Sequence, residues 1–193
     1  ILEVLLFERI IVMADSGGAK ASRHGRLFEE KLIEYTAQQL GIEYYTHAEY
    51  MRGTGLGKNA PKYLKESPTI DLLTLTRFIG IQWPYRAVDP DNDCRRDFVI
   101  MNNGQKIQVE AKYQNTAGSV DKKIRAEFDD IGLSDCDAGF VVVAGSYWTI
   151  NKKDLIPHLK NHAERFSKMH GKYIDIFTEK EYYTYIIDNK GVL

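Results

Sequence analysis

The chain has few cysteines, no long apolar run and almost no excess of charge. Its two cysteines, Cys94 and Cys136, are too few for a disulfide framework or a four-thiolate zinc site, so we expect a reducing, cytoplasmic setting. No stretch approaches the ~20 apolar residues that span a bilayer, because charged residues interrupt even the apolar N-terminus. A formal net charge of −1 excludes the bulk basicity of a histone-like nucleic-acid coat and leaves room only for a local basic patch.

The composition is otherwise that of an ordinary globular protein. Apolar residues make up 44% and charged residues 27% of the 193 residues, which excludes wholesale disorder. This length predicts one domain, which we place at residues 13–193, with a loop and short-helix insertion at about residues 51–90. Residues 1–12 are set apart as a tag-derived or flexible N-terminal segment, since their LEVL resembles the start of a protease-site tag.

The spacing of apolar and turn residues predicts an α/β chain. The predicted elements are a helix from residue 22 or 23 to 40, a short helix over 71–79, a loop over 83–90, a hairpin over 96–114, a helix that begins at Ser119, a strand over 139–145, a helix over 153–170, a strand over 173–177 and a last helix through Ile187. This order predicts a mixed central sheet flanked by helices.

The hairpin supplies the main chemical clue. With a two-residue turn at Asn103-Gly104, Asp97 faces Glu110, and their Cβ atoms are about 4.5–5.5 Å apart. Like charges at that distance repel unless a cation lies between them. Lys112 shares the face of Glu110, because side chains alternate along a strand. The alternative is a charged strand edge that is simply hydrated, and Glu-x-Lys by itself does not exclude it.

A divalent cation would relieve this repulsion. Hard carboxylate oxygens with few other ligands suit Mg²⁺, which keeps several of its waters. A lysine beside such an ion can orient or help deprotonate an attacking water and can offset the charge that develops on a phosphate. The hairpin therefore predicts one apolar face, directed to the core, and one reactive face.

The segments RRDFVI, IQVEAKYQ and GSVDKK together resemble the PD-(D/E)xK nuclease superfamily, in which an Asp opens one strand of a hairpin and Glu-x-Lys lies on the next. The resemblance extends over about residues 25–187 and implies a restriction-endonuclease-like core. It implies that Asp97 and Glu110 bind the metal, together with Ala111, the residue between Glu110 and Lys112. It also implies that Lys112 assists the attacking water.

Further residues enter through the same resemblance. Glu29, on the apolar side of the first helix, and Gln114, at the end of the reactive strand, are implied as accessory catalytic residues. A literal Pro-Asp stands at Pro90-Asp91, with Asp93 nearby, whereas Asp97 follows an arginine. We prefer Asp97 as the metal ligand, since only this aspartate lies opposite Glu110 in the predicted register.

Basic residues near the motif predict contacts with DNA phosphates. The helix that begins at Ser119 has free N–H groups at its start and Lys122 and Lys123 in its first turn, which suits an anion. Arg52 and Lys58 lie in a glycine-rich basic stretch and are a second set of candidates, although a solvated loop explains them equally well.

Taken together, the residues and the resemblance imply a Mg²⁺-dependent DNA endonuclease, in which Mn²⁺ substitutes for Mg²⁺. A type II-like restriction endonuclease acting on double-stranded DNA as a homodimer is the expected form. The alternatives are a junction-resolving or repair nuclease, and a non-catalytic DNA-binding subunit on the same fold. The presence of Asp97, Glu110 and Lys112 argues against the non-catalytic alternative.

Overall fold

The computed structural model describes residues 23–53, 75–86, 93–115 and 120–193. Its regular elements are α1 Arg23–Leu40, β1 Tyr44–Thr46, α2 His47–Gly53, β2 Arg77–Arg86, β3 Asp93–Asn102, β4 Gln105–Tyr113, α3 Val120–Leu133, β5 Ala138–Ala144, a π-helical turn Tyr147–Asn151, α4 Leu155–His170, β6 Tyr173–Thr178 and α5 Glu179–Asn189. Over these ranges, no helix combines the length and the apolarity that crossing a membrane requires.

The six strands form one mixed sheet in the order β1 to β6. Strand β3 pairs antiparallel with both β2 and β4. The remaining pairs are parallel: β1 with β2, β4 with β5, and β5 with β6. The prediction of an α/β fold with a mixed central sheet flanked by helices is confirmed.

Two apolar layers hold the helices to the sheet. One layer packs α1 and α5 against the sheet and includes Phe28, Leu32, Ile33, Ile81, Phe98, Val109, Val142, Tyr182 and Ile186. The other layer packs α3 and α4 against the opposite face and includes Ile124, Phe128, Ile131, Val141, Val143, Trp148, Leu159 and Ile176. Because β4 lies inside the sheet between β3 and β5, the polar side chains in its middle, Gln108 and Glu110, are buried.

The hairpin β3–β4 has the predicted register. Phe98 pairs with Val109 and Met101 with Lys106 across the two-residue turn. Both turn residues have a positive φ, 49° at Asn103 and 90° at Gly104, as the tight hairpin turn requires. The prediction of this hairpin from Asn-Gly and the flanking alternation is therefore confirmed.

The region before the hairpin differs from the prediction. Arg77–Arg86 is strand β2, and all of its residues except Gln82 pair with β3, so a helix through residue 79 and a loop from residue 83 were wrong for these residues. Pro84 is compatible with this strand because β1 pairs only with residues 79–81, which leaves the other side of Pro84 outside that ladder. Residues 54–74 and 87–92 of the predicted insertion lie outside the described residues.

Candidate active site

Three acidic side chains from three elements surround the ammonium group of Lys112. Its Nζ lies 3.0 Å from Oε1 of Glu127 on α3, 3.2 Å from Oε2 of Glu110 on β4 and 3.6 Å from Oδ2 of Asp97 on β3. Glu110 is only 4% exposed, since β4 lies between β3 and β5 and Glu110 pairs with Val141. The structure thus brings together Asp97, Glu110 and Lys112, as the sequence predicts, and adds Glu127.

Asp97 stands where the regular hairpin pairing ends. The backbone pairing between β3 and β4 ends at Phe98 and Val109. Beyond this pair, the side chain of Asp97 contacts β4. Its Oδ2 accepts a hydrogen bond of 2.7 Å from the backbone N–H of Ala111. This bond fixes the Asp97 carboxylate against β4 at Ala111, the residue between Glu110 and Lys112.

Glu29 reaches the site from α1 and is held by Gln82. Gln82 Nε2 donates to Oε1 of Glu29 at 3.3 Å.

Gln82 has a φ of 49°, a left-handed conformation that is uncommon outside glycine and is frequent at functional sites. The ring centroids of Phe78 and Trp83 are 5.5 Å apart, although residues five apart face opposite sides in a regular strand. The left-handed backbone at Gln82 therefore twists β2, so that Trp83 lies on the same side of the strand as Phe78.

The pKa values show how strongly this site disfavours its own negative charge. Burial, and then the neighbouring Asp97, raises the pKa of Glu110 well above 4.5, while Lys112 acts in the opposite direction. Burial also raises the pKa of Glu127, against the attraction of Lys112. The pKa of Glu29 is raised to about 7 by burial first and Asp97 second. Burial alone lowers the pKa of Lys112, but the surrounding carboxylates outweigh it and raise this pKa above its usual value.

The charges in the site do not balance. Among the described residues, four carboxyl groups (Glu29, Asp97, Glu110 and Glu127) share the ammonium group of Lys112, so full ionisation leaves a surplus of negative charge there. The ammonium already shows that a cation fits among them. Over the described residues, no three His, Cys, Asp or Glu side chains are arranged to enclose a metal ion. Two carboxylates with waters and a backbone oxygen would suit Mg²⁺, which does not need a cage of protein ligands.

The segment that contains the site matches one family of known proteins. The family model of the PD-(D/E)XK nuclease superfamily domain matches residues 90–179. Residues 90–179, just under half of the chain, are thus similar to a PD-(D/E)XK nuclease superfamily domain. No curated protein and no solved structure matches the chain significantly. The matched segment runs from before β3 through β6 and contains Asp97, Glu110, Lys112 and Glu127, whereas α1 with Glu29 precedes it.

The structure places the other predicted residues less completely. Gln114 follows β4, where its N–H donates to Ala144 and its carbonyl oxygen accepts from Tyr147, so its accessory role stays a prediction. Asp93 begins β3 and pairs with Arg86 through the backbone. Asp91 lies outside the described residues.

The predicted DNA contacts are only partly described. Lys123 is exposed near the start of α3, and Lys122 lies in the same first turn. Arg52 is exposed near the end of α2. Ser119 and Lys58 lie outside the described residues.

Glu127 is the functional candidate that sequence reasoning missed. It stands three residues after Ile124 and four before Ile131, both fully buried, so it belongs to the inward face of α3. A carboxylate within an apolar helix face is the same signal that singled out Glu29. Gln82 carries no such signal, because its role follows from a backbone conformation that the sequence does not announce.

Proposed function

We propose that this PD-(D/E)XK domain is a Mg²⁺-dependent endonuclease of double-stranded DNA, of the type II-like restriction kind, for which Mn²⁺ substitutes. The observation that carries the proposal is the surplus of carboxylates, one buried and the others half-buried, around Lys112 at the end of the β3–β4 hairpin. Such a cluster is costly to the fold unless a cation completes it. A nuclease superfamily domain over the same residues supports this interpretation.

Asp97 and Glu110, with the backbone of Ala111, would hold the Mg²⁺ ion. The ion would supply positive charge at the scissile phosphate, where negative charge develops during hydrolysis. The bond from Ala111 N–H to Asp97 keeps that carboxylate in place before any ligand arrives, so little reorganisation is needed.

Lys112 would act through its charge. Its raised pKa keeps the ammonium protonated, which favours orienting the attacking water and offsetting phosphate charge over accepting a proton. Glu127 gives Lys112 a partner on α3 that is independent of Asp97 and Glu110. The ammonium therefore stays in the site when those two carboxylates have another ligand. Glu29, with a pKa of about 7, is the carboxyl group best matched to take up a proton near neutral pH.

Cleavage of covalently closed plasmid DNA tests the proposal. The wild-type protein is expected to nick or linearise the plasmid with Mg²⁺ and to leave it intact with EDTA. Asp97→Asn should abolish cleavage, because it removes one of the two carboxylates that would hold the ion. Asp91→Asn is the matched control and should cleave like the wild type.

Three outcomes would contradict parts of this account. Wild-type cleavage by Asp97→Asn together with an inactive Asp91→Asn would make the literal Pro-Asp the ligand. Binding of duplex DNA without any cleavage would favour the non-catalytic DNA-binding subunit. Preferred cleavage of four-way junctions, or of damaged duplexes, over plain duplexes would favour the junction-resolving or repair nuclease.

The start of α3 is proposed to bind a DNA phosphate. The first-turn N–H groups of a helix and the lysines of that turn, Lys122 and Lys123, suit an anion. Replacing both lysines by alanine should weaken duplex binding and lower the slope of log affinity against log salt by up to about two. Binding measured between 50 and 200 mM salt checks this, with Lys180→Ala on the exposed surface of α5 as the control. An unchanged slope with unchanged stability would remove α3 from the interface.

Cutting both strands of a duplex would need two such sites. We therefore include a homodimer, with one active site for each strand, in the proposal.

A further inference from the structure

A row of buried polar side chains continues from Glu110 away from Lys112. Arg96 and Gln108 have no exposed surface, although both side chains are strongly polar. Burying such groups costs free energy unless each finds a partner. Their partners include one another and two carboxylates, Glu110 at the inner end and Asp135 at the outer end.

The direction of the hydrogen bonds in this row is determined by arginine. A guanidinium group only donates, so the bond of 3.2 Å from Arg96 Nε must end on the carbonyl oxygen of Gln108. The amide nitrogen of Gln108 consequently faces Glu110 and donates to its Oε1 at 3.0 Å. A flipped amide would place two donors against each other at Arg96 and two acceptors against each other at Glu110.

This row settles which oxygen of Glu110 faces the site. Oε1 is engaged by Gln108, while Oε2 accepts from Lys112 at 3.2 Å. The carboxylate is therefore fixed in rotation, with Oε2 directed to the place where a cation would bind.

The outer end of the row is fixed to the start of β5. Arg96 pairs with Asp135, which precedes β5, and Lys106 Nζ binds the other oxygen of Asp135 at 2.6 Å. Burial raises the pKa of Asp135, but the hydrogen bonds from Lys106 and Arg96 outweigh it and hold that pKa below its usual value. Asp135 is therefore an ionised anchor for Arg96 at neutral pH.

We propose that Gln108, oriented by Arg96 and Asp135, is a positioning residue that aims Oε2 of Glu110 at a divalent cation. The inference rests on the proposed function, since it concerns how the same cation is held. Residues that orient metal-binding carboxylates typically change metal affinity by about 10–100-fold when they are replaced.

The test compares how much cation each variant needs for thermal stabilisation. Gln108→Met keeps the approximate volume but removes both hydrogen bonds, so the Mg²⁺ or Mn²⁺ concentration for half-maximal stabilisation should rise about 10–100-fold. Excess Mg²⁺ should restore cleavage by this variant. Tyr182→Phe is the matched control, because it removes a buried hydrogen bond of 2.8 Å to Thr36 between α1 and α5. It should lower the melting temperature without moving the cation midpoint.

Asp135→Asn provides a second variant at the half-exposed end of the row, and its amide oxygen can still accept from the buried Arg96. Its cation midpoint should rise by a smaller factor, because Gln108 and Arg96 both remain. An unchanged midpoint in the folded variants, with a fall in melting temperature like that of Tyr182→Phe, would overturn this inference alone. Absence of any cation response in the wild type would overturn the proposed function and this inference with it.

Discussion

A Lys112→Met variant is expected to lose about 3–5 kcal/mol of unfolding free energy and about 10²–10⁴-fold of the cleavage rate. Lys112 is the cation shared by Asp97, Glu110 and Glu127. Without it, three carboxylates face one another in a buried site and no charge offsets them. The loss of stability should be larger at pH 8 than at pH 5, because the carboxyl groups take up protons at the lower pH.

Chemical denaturation in EDTA, at both pH values, measures this loss. Lys160→Met is the matched control, since Lys160 pairs with Glu181 in a more exposed ion pair at 2.6 Å, away from the site. It should cost no more than about 1 kcal/mol and leave cleavage unchanged. Equal losses for the two variants would show that Lys112 is an ordinary surface lysine.

A Glu110→Gln variant is expected to be inactive and yet more stable than the wild type near neutral pH. Burial and the neighbouring Asp97 raise the pKa of Glu110, so the folded state prefers this group protonated. The wild type therefore loses stability as pH rises above about 4.5, the unperturbed value, and through the raised pKa. The glutamine carries no charge and is spared this loss.

Thermal unfolding in EDTA between pH 4 and pH 8.5 measures the difference. The two proteins should be similar in stability at the acidic end, and the variant should gain as pH rises. Each kcal/mol of gain raises the melting temperature by about 2–4 °C in a chain of this size. Glu43→Gln, at an exposed position before β1, is the control and should show no such gain. A glutamine variant that is less stable at every pH would refute the charge surplus.

The hairpin that carries the site was predictable because its determinants are local. Asn103-Gly104 specifies the tight turn, and alternation of polar and apolar residues specifies the faces of both strands. From this register, Asp97, Glu110 and Lys112 follow as one cluster. Glu29 was singled out by its position on the apolar face of the first helix together with the family resemblance, and that helix packs against β4.

The residues that were not predictable depend on partners remote in sequence. Strand β2 has a short apolar run around Ile79 and Ile81 that periodicity does not assign to a strand or a helix, and pairing with β3 decides it. Gln82 obtains its left-handed backbone only inside that sheet. In the sequence, Gln108 is indistinguishable from the other polar residues on its face of the hairpin. Its burial beside Arg96, which donates a hydrogen bond to it, is visible only in the structure.

Thermal unfolding with and without Mg²⁺ shows whether the carboxylates around Lys112 form a cation site. The wild type should be stabilised, by about 2.7 kcal/mol at a free Mg²⁺ concentration 100 times the dissociation constant. Glu110→Gln should start from a higher melting temperature in EDTA and show little response to Mg²⁺. A wild type that ignores Mg²⁺, or a variant that responds as strongly as the wild type, would contradict the account.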